Sequence, residues 1–277
     1  MSAMTGKSWD SQFVKSSQLT RSSDQSYKVL KISTHDDGDD SSEQQAYGYI
    51  ASLQLDFERP GFQSLRQCLD MFDIVGPTGN KHHCFVHEPA ACNVDQLWDG
   101  LAEGAFTLDQ IKSFARRTLQ ALDFLHREAK VIHCDVKPEN LLLPIRDPKA
   151  LTLIAETFTK QETEVKYVGD SKLPVYESIG FENIDQSAWG HPVLGDLGEA
   201  AIIRDDPEYG EWLVPRFVGA APLRPPESVL GTLWNCTVDI WMTGCMVSDD
   251  LLCKSFGCKL TTATDPLDDR ESAPLQA

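Results

Sequence analysis

The sequence predicts an α+β chain, with strands collected early and helices after them. Three observations carry that prediction. Tyr27–Ser33 (YKVLKIS) and Cys84–His87 (CFVH) are short runs of β-branched, aromatic and aliphatic residues, the composition of strands. Thr107–His126 sets Leu108, Ile111, Ala115, Leu119, Leu122 and Leu125 at spacings of three and four, which makes one apolar helix face. Val238–Val247 is a second apolar segment of helical length.

The other segments follow in order. Residues 1–26 are rich in Ser, Thr, Gln and Lys without periodicity and read as a flexible N-terminal arm. Residues 35–42 (HDDGDDSS) form a solvated acidic turn, and a short helix is expected over Glu43–Leu53. The Cys84–His87 strand stops at Glu88-Pro89, a turn signal. Thr107, with Gln110 three residues on, is a capping-box start for the long helix. Residues 144–190 are mixed in composition and read as a long, partly disordered insertion between strands. Val193–Leu194 is a short apolar step, and residues 251–277 are expected to be a disordered acidic tail.

At about 150 residues per domain, 277 residues make one large domain or two lobes. Hydrophobic content of 41% and charged content of 24% exclude wholesale disorder, collagen and a disulfide mini-scaffold. A net charge of -17 argues against direct nucleic-acid binding, because phosphate contacts need a basic face. It suits basic partners, although the same acidity would also serve solubility alone. No apolar run reaches transmembrane length, and Met1–Asp10 lacks an apolar signal core. No membrane association and an intracellular location, cytoplasm and/or nucleus, are therefore expected. The eight cysteines include no C-x-x-C pair and read as free thiols.

The chemistry concentrates after the long helix, in Val131-Ile132-His133-Cys134-Asp135-Val136-Lys137-Pro138-Glu139-Asn140, followed by Leu141–Leu143. This is H-x-D-x-K-x-x-N before a leucine strand. An aspartate can accept or orient the proton of an attacking hydroxyl. A lysine two residues on can reach a transferring phosphoryl group, and an asparagine five residues after the aspartate offers a neutral oxygen to a magnesium ion. A loop set directly before a buried strand is held rigid, as positioning catalysis requires. On its own, the pattern could also be a surface loop.

The motif resembles the catalytic loop of the protein kinases, with arginine replaced by Cys134. Three more stretches resemble that family in the right order. Asp196-Leu197-Gly198 is similar to its magnesium motif, and Arg224-Pro225-Pro226-Glu227 to the end of its activation segment. Asp239-Ile240-Trp241 with Gly244-Cys245 is similar to the helix whose aspartate binds the catalytic-loop backbone. Val29-Leu30-Lys31-Ile32 resembles the strand whose lysine holds the α- and β-phosphates of ATP. Glu43, at the head of E-x-x-x-Y ending at Tyr47, would be its carboxylate partner across only 12 residues. Glu88 and Ala90 would meet the adenine through their backbone, with His87 at the gatekeeper position.

The resemblance implies a two-lobed fold, a small β-rich N-lobe over residues 27–88 and a mostly helical C-lobe over 89–250 carrying the 144–190 insertion. It implies ATP and Mg2+ as cofactors. Asp135 and Lys137 would be catalytic, Asn140 and Asp196 would hold the metal, and Lys31, Glu43, Glu88 and Ala90 would bind the nucleotide. The missing arginine, the long insertion and the D-V-K-P-E-N-L-L run are most similar to the serine/arginine-rich protein kinases, especially divergent fungal ones. The implied reaction is transfer of the γ-phosphoryl group to protein serine or threonine, with basic Arg-Ser-rich proteins as the substrate class. With Cys134 in place of arginine, activity is expected not to need activation-loop phosphorylation.

The pattern also departs from the family. Residues 1–26 hold one glycine, Gly6, and no G-x-G-x-x-G. Few residues follow Gly244-Cys245, and Glu227 lacks its usual arginine partner. The expectation is a kinase incomplete at both ends. Two other readings stand beside the active kinase. One is a pseudokinase or fragment that binds nucleotide or partners without turnover, and the other is a small-molecule phosphotransferase.

Overall fold

The structure, a computed structural model, describes residues 16–21, 27–33, 41–53, 55–56, 58–76, 79–101, 105–160, 165–168, 173–176, 188–203 and 216–253. Four strands build the first sheet: Ser16–Arg21 (β1), Tyr27–Ile32 (β2), Asp70–Val75 (β3) and Lys81–His87 (β4). Their order is β1-β2-β4-β3, and every pair is antiparallel. Helix Ser42–Ser52 (α1) lies between β2 and β3 in the chain. It starts at Ser41, whose side chain accepts from the Gln44 amide at 3.2 Å. Glu43, Ala46, Tyr47 and Ile50 are its buried stripe, at spacings of three and four.

The chain then passes through Ala90–Asn93 (β5) and Val94–Asp99 (α2) into Leu108–Asp123 (α3). The capping box at the head of α3 is complete. Thr107 Oγ1 accepts from Gln110 N at 3.3 Å, and Gln110 Oε1 accepts from Thr107 N at 2.9 Å. The buried stripe is Ile111, Phe114, Thr118, Ala121 and Leu122. Leu108 and Leu119, expected on that face, are about half exposed. At 100° per residue they stand roughly 90–110° from the stripe's centre, on its flank. From Phe124 to Ala129 the helix widens to a π-helical turn, which Lys130 closes in the left-handed region.

The remaining elements are Val131–Ile132 (β6), Leu141–Pro144 (β7), Pro148–Lys160 (α4), Val165–Val168 (β8), Leu173–Tyr176 (β9), Val193–Leu194 (β10), Ala201–Ile202 (β11), Pro226–Val229 (α5) and Thr237–Cys245 (α6). A π-helical segment, Met246–Cys253, continues α6. The strands form three small sheets, β10-β7-β5, β11-β6 and β8-β9. One continuous core joins the sheet-rich half to the helical half. Ala46, Tyr47, Ile50 and Phe85 from the first half pack with Leu122, Leu125, Ile132, Leu197 and Met242 from the second.

One expectation needs correction. Ser16–Arg21, read as part of a flexible arm, is a strand with six rungs to β2. An edge strand is held by its backbone ladder, so hydrophobic periodicity does not reveal it. The insertion also contains regular structure, α4 and the β8–β9 ladder. Pro148 opens α4 at a position where the missing N–H costs nothing, and the Asp147 side chain accepts from Lys149 N at 2.9 Å. The expected tail lies outside the described residues from 254 onward.

Candidate active site

Strand β2 delivers Lys31 and helix α1 delivers Glu43 to one buried point. The β2–β4 register places Lys31 opposite Phe85, so its side chain enters the core side of the sheet. Lys31 Nζ is hydrogen-bonded to Glu43 Oε1, and it lies 3.0 Å from Asp196 Oδ1. Lys31 and Glu43 are both buried, and Asp196 is partly exposed. One cation thus joins two carboxylates that come from opposite halves of the molecule.

The loop after β6 carries the second cluster. Asp135 Oδ2 accepts from Lys137 Nζ at 2.7 Å and from Asn140 Nδ2 at 2.9 Å. Asn140 Nδ2 also donates to the Asp135 carbonyl at 2.8 Å. Both bonds use the amide nitrogen of Asn140, so Asp135 leaves its Oδ1 unengaged. The Asn140 carbonyl accepts from Gly195 N at 2.8 Å, which brings the backbone of Asn140 to within one residue of Asp196. An amide oxygen and a carboxylate are donor types that suit Mg2+.

Two buried groups fix the loop's shape. Asp239, wholly buried in the first turn of α6, accepts from His133 N and Cys134 N at 2.8 Å each, and His126 Nε2 lies 2.7 Å away. His133 accepts at Nδ1 from Asp135 N at 3.3 Å, so its Nε2 carries the proton and donates to the Gly195 carbonyl at 2.9 Å. The histidine therefore ties the Asp135 loop to the Asp196 loop. Cys134 (φ 67) and Asp196 (φ 63) are both left-handed, a strained conformation that the surrounding bonds impose.

The structure brings Lys31, Glu43 and Asp196 into one ion cluster and Asp135, Lys137 and Asn140 into another. The Gly195 contacts join the two. Glu88 follows β4 directly and Ala90 opens β5, with Pro89 linking them, and neither shares a hydrogen bond or ion pair with the two clusters among the described contacts. That link is pinned where Ile145 N donates to the Pro89 carbonyl at 3.0 Å. The Glu88 carboxylate turns outward to Lys28 at 2.6 Å.

Sequence reasoning missed three residues. His126 reaches Asp239 because the π-helical turn re-aims it, and no linear motif marks that. Arg66, beside Gly195, has its pKa lowered by burial. Arg216 Nη2 donates to the Glu199 carbonyl at 2.6 Å, and its guanidinium sits 5.8 Å from the Trp234 ring. The buried Cys134 thiol lies 3.6 Å from the Ile132 carbonyl. Burial pushes the Cys134 thiol well above its ordinary range, which keeps it protonated and inert.

A two-lobed α+β fold that brings together a lysine–glutamate pair, an Asp-Lys-Asn loop and a second aspartate holds the groups found in the protein-kinase class. The protein kinase domain family model matches residues 15–266, and the chain belongs to that family. A serine/threonine protein kinase of Aspergillus fumigatus is 30% identical over 209 residues, 75% of this chain and 47% of the relative. The serine/threonine-protein kinase SRPK of Physarum polycephalum is 28% identical over 220 residues, 72% of this chain and 49% of the relative. The chain therefore spans about half the length of these relatives. A crystal structure of a kinase domain superposes with a TM-score of 0.54 at 19% identity, covering 87% of this chain and 66% of that one.

Proposed function

We propose that this chain carries the phosphoryl-transfer site of a serine/threonine protein kinase, using ATP and Mg2+. The observation that carries the reading is the joining of Lys31, Glu43 and Asp196 with Asp135, Lys137 and Asn140 around Gly195. Asp135 orients the incoming hydroxyl and accepts its proton. Lys137, now held on Asp135, is within reach of negative charge developing on the phosphoryl oxygens. Lys31 is set for the α- and β-phosphates, and Glu43 fixes its position. A Mg2+ ion held by Asn140 Oδ1 and Asp196 would neutralise phosphate charge. Glu88 and Ala90 would present backbone groups to the adenine.

Basic Arg-Ser-rich proteins are the proposed substrates, supported by the net charge of -17 and by likeness to a relative named SRPK. Carboxylates attract guanidinium groups strongly. The cytoplasm or nucleus is the proposed compartment, in keeping with six free cysteines among the described residues. Single-turnover transfer from labelled Mg-ATP to an Arg-Ser repeat peptide tests the reading, with Asp135→Ala as control. Transfer by the parent alone supports it. ATP binding without transfer by either protein makes the chain a non-catalytic binder. Transfer to a small alcohol but to no peptide makes it a small-molecule phosphotransferase.

A further inference from the structure

Helix α3 carries a row of positive charge on its outer side. Lys112 and Arg116 are exposed on consecutive turns, and with Arg117 and His191 they line a groove of about 480 Å³. The Arg146 side chain lies over Gly190, next to His191. Among the described residues, Arg116, Arg117, Arg146 and His191 form no ion pair. Lys112 reaches only Asp109, at 3.9 Å, and that carboxylate is 96% exposed, so the contact is worth little. Arg117 donates instead to the neutral Ser64 hydroxyl at 3.1 Å. Two nearby acids are engaged elsewhere, Asp123 with Arg127 at 3.0 Å and Glu128 with Arg59 at 2.6 Å.

A chain of net charge -17 has acids to spare, so a cluster of cations without them stands out. Burial, and then the Arg146 charge, lower the Arg117 pKa, which is the mark of like charges held together. An anionic partner laid over the cluster relieves that repulsion.

The arrangement favours carboxylates spaced along a chain over a single phosphate. The cations form a row on α3 and a second wall at His191 rather than converging on one point. Lys112 and Arg116 are separated by about 6 Å along the helix axis. Alternate side chains of an extended peptide are about 6–7 Å apart on one face. On the other side of the row a second groove, of about 730 Å³, has an apolar floor of Pro60, Ala115 and the half-exposed Leu119.

We propose that this face of α3 docks an extended acidic peptide segment of a partner protein, with alternate carboxylates on Lys112 and Arg116 and one apolar side chain on Leu119. The basic substrates proposed above would be repelled here, so the partner is a different protein. The inference does not depend on the nucleotide site.

Fluorescence anisotropy of the full chain with a labelled peptide, Leu-Ser-Glu-Ser-Glu-Ser-Glu-Ser-Glu, tests this. The parent should bind, and added salt should weaken binding. A double variant, Lys112→Glu with Arg116→Glu, should weaken it roughly tenfold or more, while Lys81→Glu, a reversal on β4, should change it less than about twofold. Replacing the peptide's leucine by serine should weaken it roughly fivefold or more. No binding by the parent, or equal binding by the parent and the double variant, overturns the assignment. Three other outcomes overturn it by giving the face another occupant. Binding only of a peptide with phosphoserine in place of glutamate assigns it to a phosphoprotein. Preference for an oligouridine over the peptide assigns it to RNA. Self-association that the double variant abolishes, without peptide binding, assigns it to a second copy. Should the double variant fail to fold, zero-length carbodiimide coupling of the peptide to the parent decides. A peptide carboxylate joined to Lys112 supports the dock, and coupling to other lysines alone refutes it.

Discussion

Replacing Asp239 by alanine removes one carboxylate and strands three donors, His133 N, Cys134 N and the His126 ring. The two backbone groups are buried in the turn after β6 and cannot swing to water. Each buried donor left unmade costs about 1–3 kcal/mol, so the pair costs about 2–6 kcal/mol. His126 retains some exposure and adds little. For a chain of this size, 3 kcal/mol corresponds to a fall in Tm of roughly 6–12 °C. Differential scanning calorimetry reads this directly, with Arg127→Ala as the control. The Arg127–Asp123 pair, at 3.0 Å, is a surface contact on an 80% exposed side chain, so its loss should move Tm by less than about 2 °C. Asp239→Asn keeps one accepting oxygen but turns an NH2 toward a donor, and should fall between. An Asp239→Ala protein melting within about 2 °C of the parent would refute the claim that this carboxylate holds the loop.

Further outcomes follow from the same geometry. Lys31→Ala leaves Glu43 and Asp196 facing each other without their cation and should weaken Mg-ATP binding by roughly 30-fold or more, measured by titration. Lys137→Ala should lower the single-turnover transfer rate by about 10²–10³ with nucleotide affinity nearly unchanged, the pattern for a group that acts on developing charge. For His87, the folded pKa of about 3 lies below the unfolded value of roughly 6.5, so the unfolded chain binds more protons between them. Its contribution is present above pH 6.5 and is lost as pH falls toward 3. Urea midpoints at pH 7 and pH 5 should show a loss of about 2 kcal/mol in the parent that His87→Leu lacks. Cys134→Arg forces a guanidinium into a fully buried position and should lower Tm by at least ~5 °C, read by calorimetry.

What could be read from the sequence was local. The Asp135–Asn140 loop spells its chemistry in consecutive residues, and the head of α3 announces itself through the Thr107–Gln110 box. Contacts made at long range have no such spelling. Asp239 was expected at the catalytic-loop backbone only through its family-like motif, while its bond to His126, 113 residues away, depends on a change of helix pitch that residue types do not encode. Strand β1 escaped because a polar edge strand lacks a periodic apolar face. Arg216 escaped because its value lies in two contacts, to Glu199 and Trp234, that only the fold assembles. The Lys31–Glu43 separation of 12 residues looked short, yet α1 starts soon enough after β2 for the two to meet.

The π-helical turn at Phe124–Ala129 also governs which changes this chain can inherit. A π turn holds one more residue per repeat than the α-helix that feeds it. Deleting one residue within it and returning to α pitch takes up that extra residue, so every later side chain keeps its phase. The change is local, and the contact at risk is the one His126 makes with Asp239 from inside the turn. The β8–β9 ladder likewise pairs only its own two strands, so a change of length between them rephases nothing downstream. Drift in length is thus confined in both places, and at the end of α3 it falls on a single buried bond.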